Sequence, residues 1–173
     1  MKKSLAMLAF AACLPLSGTV LAQMPEITAT FADSAWNGET VPAGQNCPLQ
    51  GGTGATPALM LTSVPELTTS IRLSFNDETY QPMNDGGHGV LDFAVTPSQT
   101  GTVELPSVPG NTADGLPDGV TIAEAARAEG EYASAGYLPP CSGGQGNTYS
   151  ADITALNAAG DEIGQGKVTL GKY

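Results

Sequence analysis

The segment Asn147 to Leu156 alternates without a break. Tyr149, Ala151, Ile153 and Ala155 fall on one face, and Thr148, Ser150, Asp152 and Thr154 on the other. A helix returns to the same face every three or four residues, so a strict period of two predicts a strand with one face buried. The residues before it narrow the possibilities. Pro139-Pro140 stiffens the backbone directly ahead of Cys141, and Ser142 to Gly146 is a glycine-rich turn. Other stretches read the same way: Glu26–Phe31, Ala58–Leu61, Ser70–Phe75, Gly89–Val95, Thr102–Leu105 and a last one near Lys167–Leu170. Between them lie loops and turns, the longest over 35–56 and carrying Cys47. One stretch breaks the pattern: Thr121–Ala128 (TIAEAARA) predicts a helix, capped by Thr121 with Glu124 three residues on. Short strands, dense glycine and proline turns and one short helix near 121–128 predict a mainly β fold, an antiparallel β-sandwich.

The start of the chain is set aside from that fold. Lys2-Lys3 precede an apolar run over 5–21, and Val20-Leu21-Ala22 has small or apolar residues where a cleavage site needs them. Residues 1–22 read as a secretory signal peptide and 23–173 as one domain, periplasmic or secreted. The apolar run, about 17 residues with a proline and a glycine inside, is short of the roughly 20 that span a bilayer. No transmembrane segment is expected in the mature chain. A lipoprotein reading through Cys13 is the alternative. Residues 23–173 carry Arg72, Arg127, Lys167 and Lys172 against 17 carboxylates, a formal charge of 4 − 17 = −13. Such a surface repels phosphodiester backbones, so nucleic acid is a poor partner. Two cysteines remain, Cys47 and Cys141. In an exported chain an even count reads as one disulfide, with two free thiols as the alternative. That bond would close a loop of about 95 residues, worth about 4–5 kcal/mol at most in the chain-entropy picture.

The sequence offers little to a catalyst. No G-x-S-x-G elbow frames Ser74 or Ser142, and His88 is the one histidine, too few for a metal site built on His and Cys. Asp114 to Asp118 lacks the ligand spacing of a calcium loop. The runs at 51–54 (GGTG) and 143–146 (GGQG) are followed by no lysine and no helix, so they are turns rather than phosphate loops. No enzyme activity, metal or cofactor is expected.

Five features in order give a resemblance. Thr56-Pro57-Ala58-Leu59 follows the cysteine-bearing loop, and Val64-Pro65 makes a turn. Asp77 ends one strand and His88 opens the next. Gly136-Tyr137 with Pro139-Pro140-Cys141 precedes the alternating segment. Together they resemble the phosphatidylethanolamine-binding protein (PEBP) family, in its exported bacterial branch of Raf kinase inhibitor-like proteins. That family has Ser-Pro-x-Leu, a Gly-Val-Pro turn, Asp-Pro-Asp-x-Pro, His-Trp, and Gly-Tyr-x-Gly-Pro-Cys-Pro-Pro before His-Arg-Tyr. The departures fall at the site. Glu78, Thr79 and Tyr80 follow Asp77, Gly89 stands where an aromatic follows the first histidine, and Asn147 stands where the second histidine would be, with Tyr149 kept.

The resemblance implies a pocket for an anionic head group such as phosphate or a phospholipid head, formed by Asp77, His88, Tyr137, Asn147 and Tyr149. In chemical terms, an Asp77 carboxylate would fix the His88 tautomer and leave the other nitrogen to a ligand, beside the Tyr149 hydroxyl and the Asn147 amide. Anion binding should be weak, because Asn147 replaces an imidazole able to carry charge. The expectation is an exported binding protein with a degenerate small-anion pocket. The alternative is a periplasmic protein-interaction or inhibitor domain, with an unknown protein partner and a vestigial pocket.

Overall fold

In the computed structural model, residues 23–98 and 101–173 are described. The leader at 1–22, with Cys13, lies outside them. Eight strands run in chain order: β1 (Glu26–Phe31), β2 (Leu59–Thr62), β3 (Thr68–Asp77), β4 (Val90–Ala94), β5 (Val103–Leu105), β6 (Val120–Glu124), β7 (Thr148–Asn157) and β8 (Glu162–Lys172). They form one sheet in the order β5-β2-β1-β8-β7-β3-β4-β6. The chain is mainly β, as expected, but it is not an antiparallel sandwich. The sheet is mixed and curls on itself, because β1 lies parallel to β8 while the other neighbours are antiparallel. A sequence pattern reports which face of a strand is buried. It does not report which strands become neighbours or in which direction.

The helix expected over 121–128 does not form. Its first half is β6, which pairs Val120 with Phe93, Thr121 with Asp92 and Ile122 with Leu91. Its second half runs extended, with the Ala126 and Arg127 amides donating to the carbonyls of Gly136 and Gly87. An isolated helix of eight residues is marginal in water. The open edge of β4 offers the same residues hydrogen bonds and burial together, and tertiary pairing prevails over propensity. Among the described residues, the helical pieces are 3-10 turns at Pro48–Gln50, Gln81–Met83 and Gly130–Tyr132.

The centre of the sheet is β3, β7 and β8. Ile71, Leu73 and Phe75 of β3 meet Ala155, Ile153 and Ala151 of β7 across the ladder, and all six are buried. The predicted inward face of β7 is the observed one. Each large apolar side chain removed from water there contributes about 1.5–3 kcal/mol. The long loop over 35–56 is tied down in two places. Trp36 stacks on Phe31 with ring centroids 6.0 Å apart. Cys47 is bonded to Cys141, with Cα atoms 5.3 Å apart, and its amide donates to the Pro140 carbonyl at 3.0 Å. Around that disulfide a second apolar cluster forms from Cys47, Met83, Ala126 and Leu138. It lies beside the ends of β3 and β7 and forms part of the wall of the site.

Candidate functional site

The antiparallel register of β3 and β7 sets Asp77 directly opposite Tyr149. Asn147 lies one residue before β7, and its amide donates to Asp77 Oδ2 at 2.7 Å. The other oxygen, Oδ1, accepts from the Thr79 and Tyr80 amides, both at 3.0 Å. The carboxylate therefore ends the strand, shapes the turn after it and holds the start of β7, while only 3% exposed.

His88 enters through the continuation of the β3–β4 hairpin, where its amide donates to the Phe75 carbonyl and the Phe75 amide to that of Gly89. The 136–138 segment runs along its other side, with the Leu138 amide donating to the His88 carbonyl at 2.8 Å. Gly89 has a reason to be glycine. Its φ is +109°, and a Cβ there would meet the Gly136 carbonyl oxygen at 2.9 Å. A side chain here, such as the aromatic that the resembled family carries, would run into the 136–137 backbone.

The imidazole was expected within hydrogen-bonding reach of Asp77 or of a ligand held between them, with no part foreseen for the Leu138 carbonyl. Its Nδ1 lies instead 2.8 Å from the Leu138 carbonyl oxygen. A carbonyl only accepts, so Nδ1 carries the hydrogen. The neutral ring is then the Nδ1–H tautomer, and Nε2 is a bare acceptor. Burial pushes the His88 pKa below its ordinary value; the Leu138 hydrogen bond and the Asp77 charge oppose that without reversing it. The ring also meets Tyr149 edge-on, with centroids 5.2 Å apart. The Tyr149 hydroxyl accepts from the Cys141 amide at 3.2 Å, and its pKa is pushed up to about 12, first by burial.

Asp77, His88, Asn147 and Tyr149 line a single cavity of about 430 Å³. Tyr137, the fifth residue expected there, does not. It is fully buried in the core, packed on Phe75 with centroids 4.6 Å apart, and burial raises its pKa. Sequence reasoning missed a second arc of the wall, made of Tyr80, Arg127, Glu129 and Tyr132. Three of these fall in or just after the stretch read as a helix, which hid them. The usable signal was two tyrosines, Tyr80 and Tyr132, set in polar turns where no core needs them; both are exposed, at 55% and 42%. Arg127 turns its guanidinium to the backbone carbonyls of Pro82, Asn84 and Asp85, binding the 81–85 turn to the rim.

No protein-family profile matches the chain, and no curated protein matches it. Solved structures do. The PEBP homologue CT736 of Chlamydia trachomatis matches at 20% identity and a TM-score of 0.51, over 86% of this chain and 97% of its own. YbcL of Escherichia coli, described as a member of the mammalian PEBP family, matches at 21% identity and a TM-score of 0.52, over 86% and 98%. At such identities the likeness is one of architecture, and it extends over nearly the whole of both relatives: the chain has the fold of PEBP-family proteins.

Proposed function

We propose that the chain is an exported, PEBP-like binding protein that holds a small polar ligand in this cavity, a reduced form of the head-group pocket that the resemblance implies. One observation carries the reading. Four polar side chains from three separate places in the sequence line one cavity of about 430 Å³, within the size range of small-molecule sites. Buried polar groups converging on a concave, partly aromatic wall are costly unless they serve a ligand or the fold. Export rests on the leader, and a disulfide between Cys47 and Cys141 suits an oxidising compartment. Among the described residues no helix is long and apolar enough to cross a membrane. The reading is of binding rather than turnover. The Ser142 hydroxyl, the one serine in the lining, donates to the Tyr173 carbonyl at 2.6 Å rather than to a base.

Phosphoethanolamine tests the reading, because it carries both a phosphate and an ammonium group. His88 is the sole histidine of the chain, so its imidazole NMR signals are unambiguous reporters. Saturable shifts of those signals, lost from calorimetric titration of His88→Ala, are the expected result. Unmoved signals at tens of millimolar ligand would replace the pocket by a protein-interaction surface as the seat of function.

A further inference from the structure

We infer that a second cleft, at the glycine-rich 142–146 turn, binds a neutral sugar against the rings of Tyr80 and Tyr132. This goes beyond the cavity reading above and requires no ligand in the cavity.

The cleft measures about 530 Å³, within the range of small-molecule sites. It adjoins the cavity, and both tyrosines line the two spaces. Their chemistry differs. Asp77, His88, Arg127 and Glu129 line the cavity and not the cleft. Among the described residues no charged side chain lines the cleft at all, in a chain with 17 carboxylates. An anion finds no cation there, and a cation finds no carboxylate.

Amides and hydroxyls take the place of charge. Gln145 is exposed, and its amide makes no hydrogen bond within the described residues; nor do the Tyr80 and Tyr132 hydroxyls. Asn147 uses one N–H on Asp77 and keeps its side-chain carbonyl as an acceptor. The Thr79 hydroxyl accepts from the Thr148 amide at 2.9 Å and keeps its O–H to donate. Neutral donors and acceptors are thus mixed around one space, and a sugar hydroxyl both donates and accepts. The tyrosines supply the other half of the recognition. They are 55% and 42% exposed, and neither ring packs on another aromatic among the described residues. One face of a pyranose ring is a patch of weakly positive C–H groups, which suits the negative face of an aromatic ring.

The wall is braced, although it is a loop. Gln50 donates to the Cys141 carbonyl and accepts from the Gly143 amide, both at 3.0 Å. The Ser142 hydroxyl and the Gly146 amide both donate to the Tyr173 carbonyl, at 2.6 and 2.8 Å. The disulfide from Cys47 to Cys141 fixes the start of the turn. A turn held this way has less freedom left to lose when a ligand binds.

The purified protein is titrated with four neutral disaccharides: cellobiose, maltose, lactose and N,N′-diacetylchitobiose. Glycerol, which has hydroxyls without a ring face, and adenosine, which has a flat aromatic face, are the counter-probes. Binding is read from the backbone amide signals of 79–80 and 142–147, with the His88 ring signals reporting on the cavity. At least one disaccharide should saturate the cleft signals, about tenfold or more tightly than glycerol and more tightly than adenosine. Tyr132→Leu and Tyr80→Leu, both at exposed positions, should each weaken it about three- to tenfold, whereas Tyr132→Phe keeps most of the affinity. Gln145→Ala should weaken it about two- to fivefold. Unchanged His88 signals in each ligand-free variant show that the fold is intact. Sedimentation with cellulose or chitin, reversed by the free disaccharide, supports the site on a polymer; free binding without sedimentation supports it on soluble sugars. Adenosine binding more tightly than every disaccharide would overturn the inference, as would disaccharide shifts confined to His88. So would silence of all four disaccharides at tens of millimolar. Phosphoethanolamine binding tests the cavity separately, so either reading can fail while the other stands.

Discussion

The middle and the end of the β3–β7 pair are built from the same two strands and behave as different materials. In the middle, Ile71, Leu73, Ala151 and Ile153 are at most 1% exposed and make only apolar contacts inward and ladder bonds sideways. At the end, Asn76, Asp77 and Ser150 are buried to the same degree yet polar. Each is satisfied: Asn76 by the Gly86 amide and by Asp152, Asp77 by Asn147 and two backbone amides, Ser150 by Glu78. Glu78 is held in turn by Lys167 at 2.5 Å, which lowers the Glu78 pKa and raises that of Lys167. The middle gains stability from volume and area. The end uses burial to fix polar groups in position beside a cavity, and that network is where a site can be built.

That contrast can be broken at the middle with the largest effect. Ile153→Ala should cost about 2–5 kcal/mol in urea denaturation, since the site is fully packed and can relax little. A cost below about 1 kcal/mol would mean that the sheet centre is not the rigid part. Next comes the disulfide, which ties the long loop over 35–56 to the segment beside the strand ends. Cys47→Ser with Cys141→Ser should lower stability by about 2–4 kcal/mol. Hydrogen exchange in the double variant should rise first in the 136–142 segment, while β3 and β7 amides stay protected. Uniform loss of protection would show that middle and end melt as one.

Smaller, and specific to the end, is Gly89→Ala. With φ at +109° and a carbonyl oxygen 2.9 Å from the new Cβ, a cost of about 1–3 kcal/mol is expected. The His88 ring signals should move with it, because the 136–138 segment must give way. A neutral substitution would show that the rim is softer than its hydrogen bonds suggest. The smallest effect is the pH dependence of His88. Its folded pKa is depressed by burial, so the unfolded chain binds the proton more readily. Stability should be unaffected by this group above its ordinary pKa near 6.5. It should fall as pH drops below that, and level off once the folded pKa is passed. The difference between wild type and His88→Gln, followed by urea midpoints from pH 8 to 4, isolates it. A difference that does not change with pH would contradict the buried neutral imidazole.

Much of the fold was legible in the residues because a strand writes its burial as an alternation of period two. β1 was read to the residue, and the inward face of β7 was read correctly. The strands read at 58–61, 70–75, 89–95 and 102–105 lie within one or two residues of β2, β3, β4 and β5. The helix at 121–128 was misread because local propensity there is real but weak, and the edge of β4 outweighed it. β8 was read as four residues and is eleven, since Gly164 and Gly166 break its pattern. They are small for packing reasons: a Cβ at 166 would meet the Ile27 carbonyl at 2.2 Å.

The site divides along the same line. The resemblance to the PEBP family was what singled out Asp77, His88, Asn147 and Tyr149, each at the boundary of a patterned segment, while the count of two cysteines in an exported chain was enough to point to Cys47 with Cys141. The sequence alone could not say which neighbour each side chain would choose. Tyr137 sits one residue from Leu138 and two from Pro139, yet it turned into the core against Phe75. His88 took the Leu138 carbonyl rather than Asp77, and Asp77 took Asn147. Those choices depend on residues brought together from 70 and 50 positions apart, on the β3–β7 register and on the loop that the disulfide holds. Hydrogen bonds act only at about 3 Å and in one direction. Which of two plausible partners is used, and so whether the cavity meets its ligand with a donor or an acceptor, was decided by tertiary geometry alone.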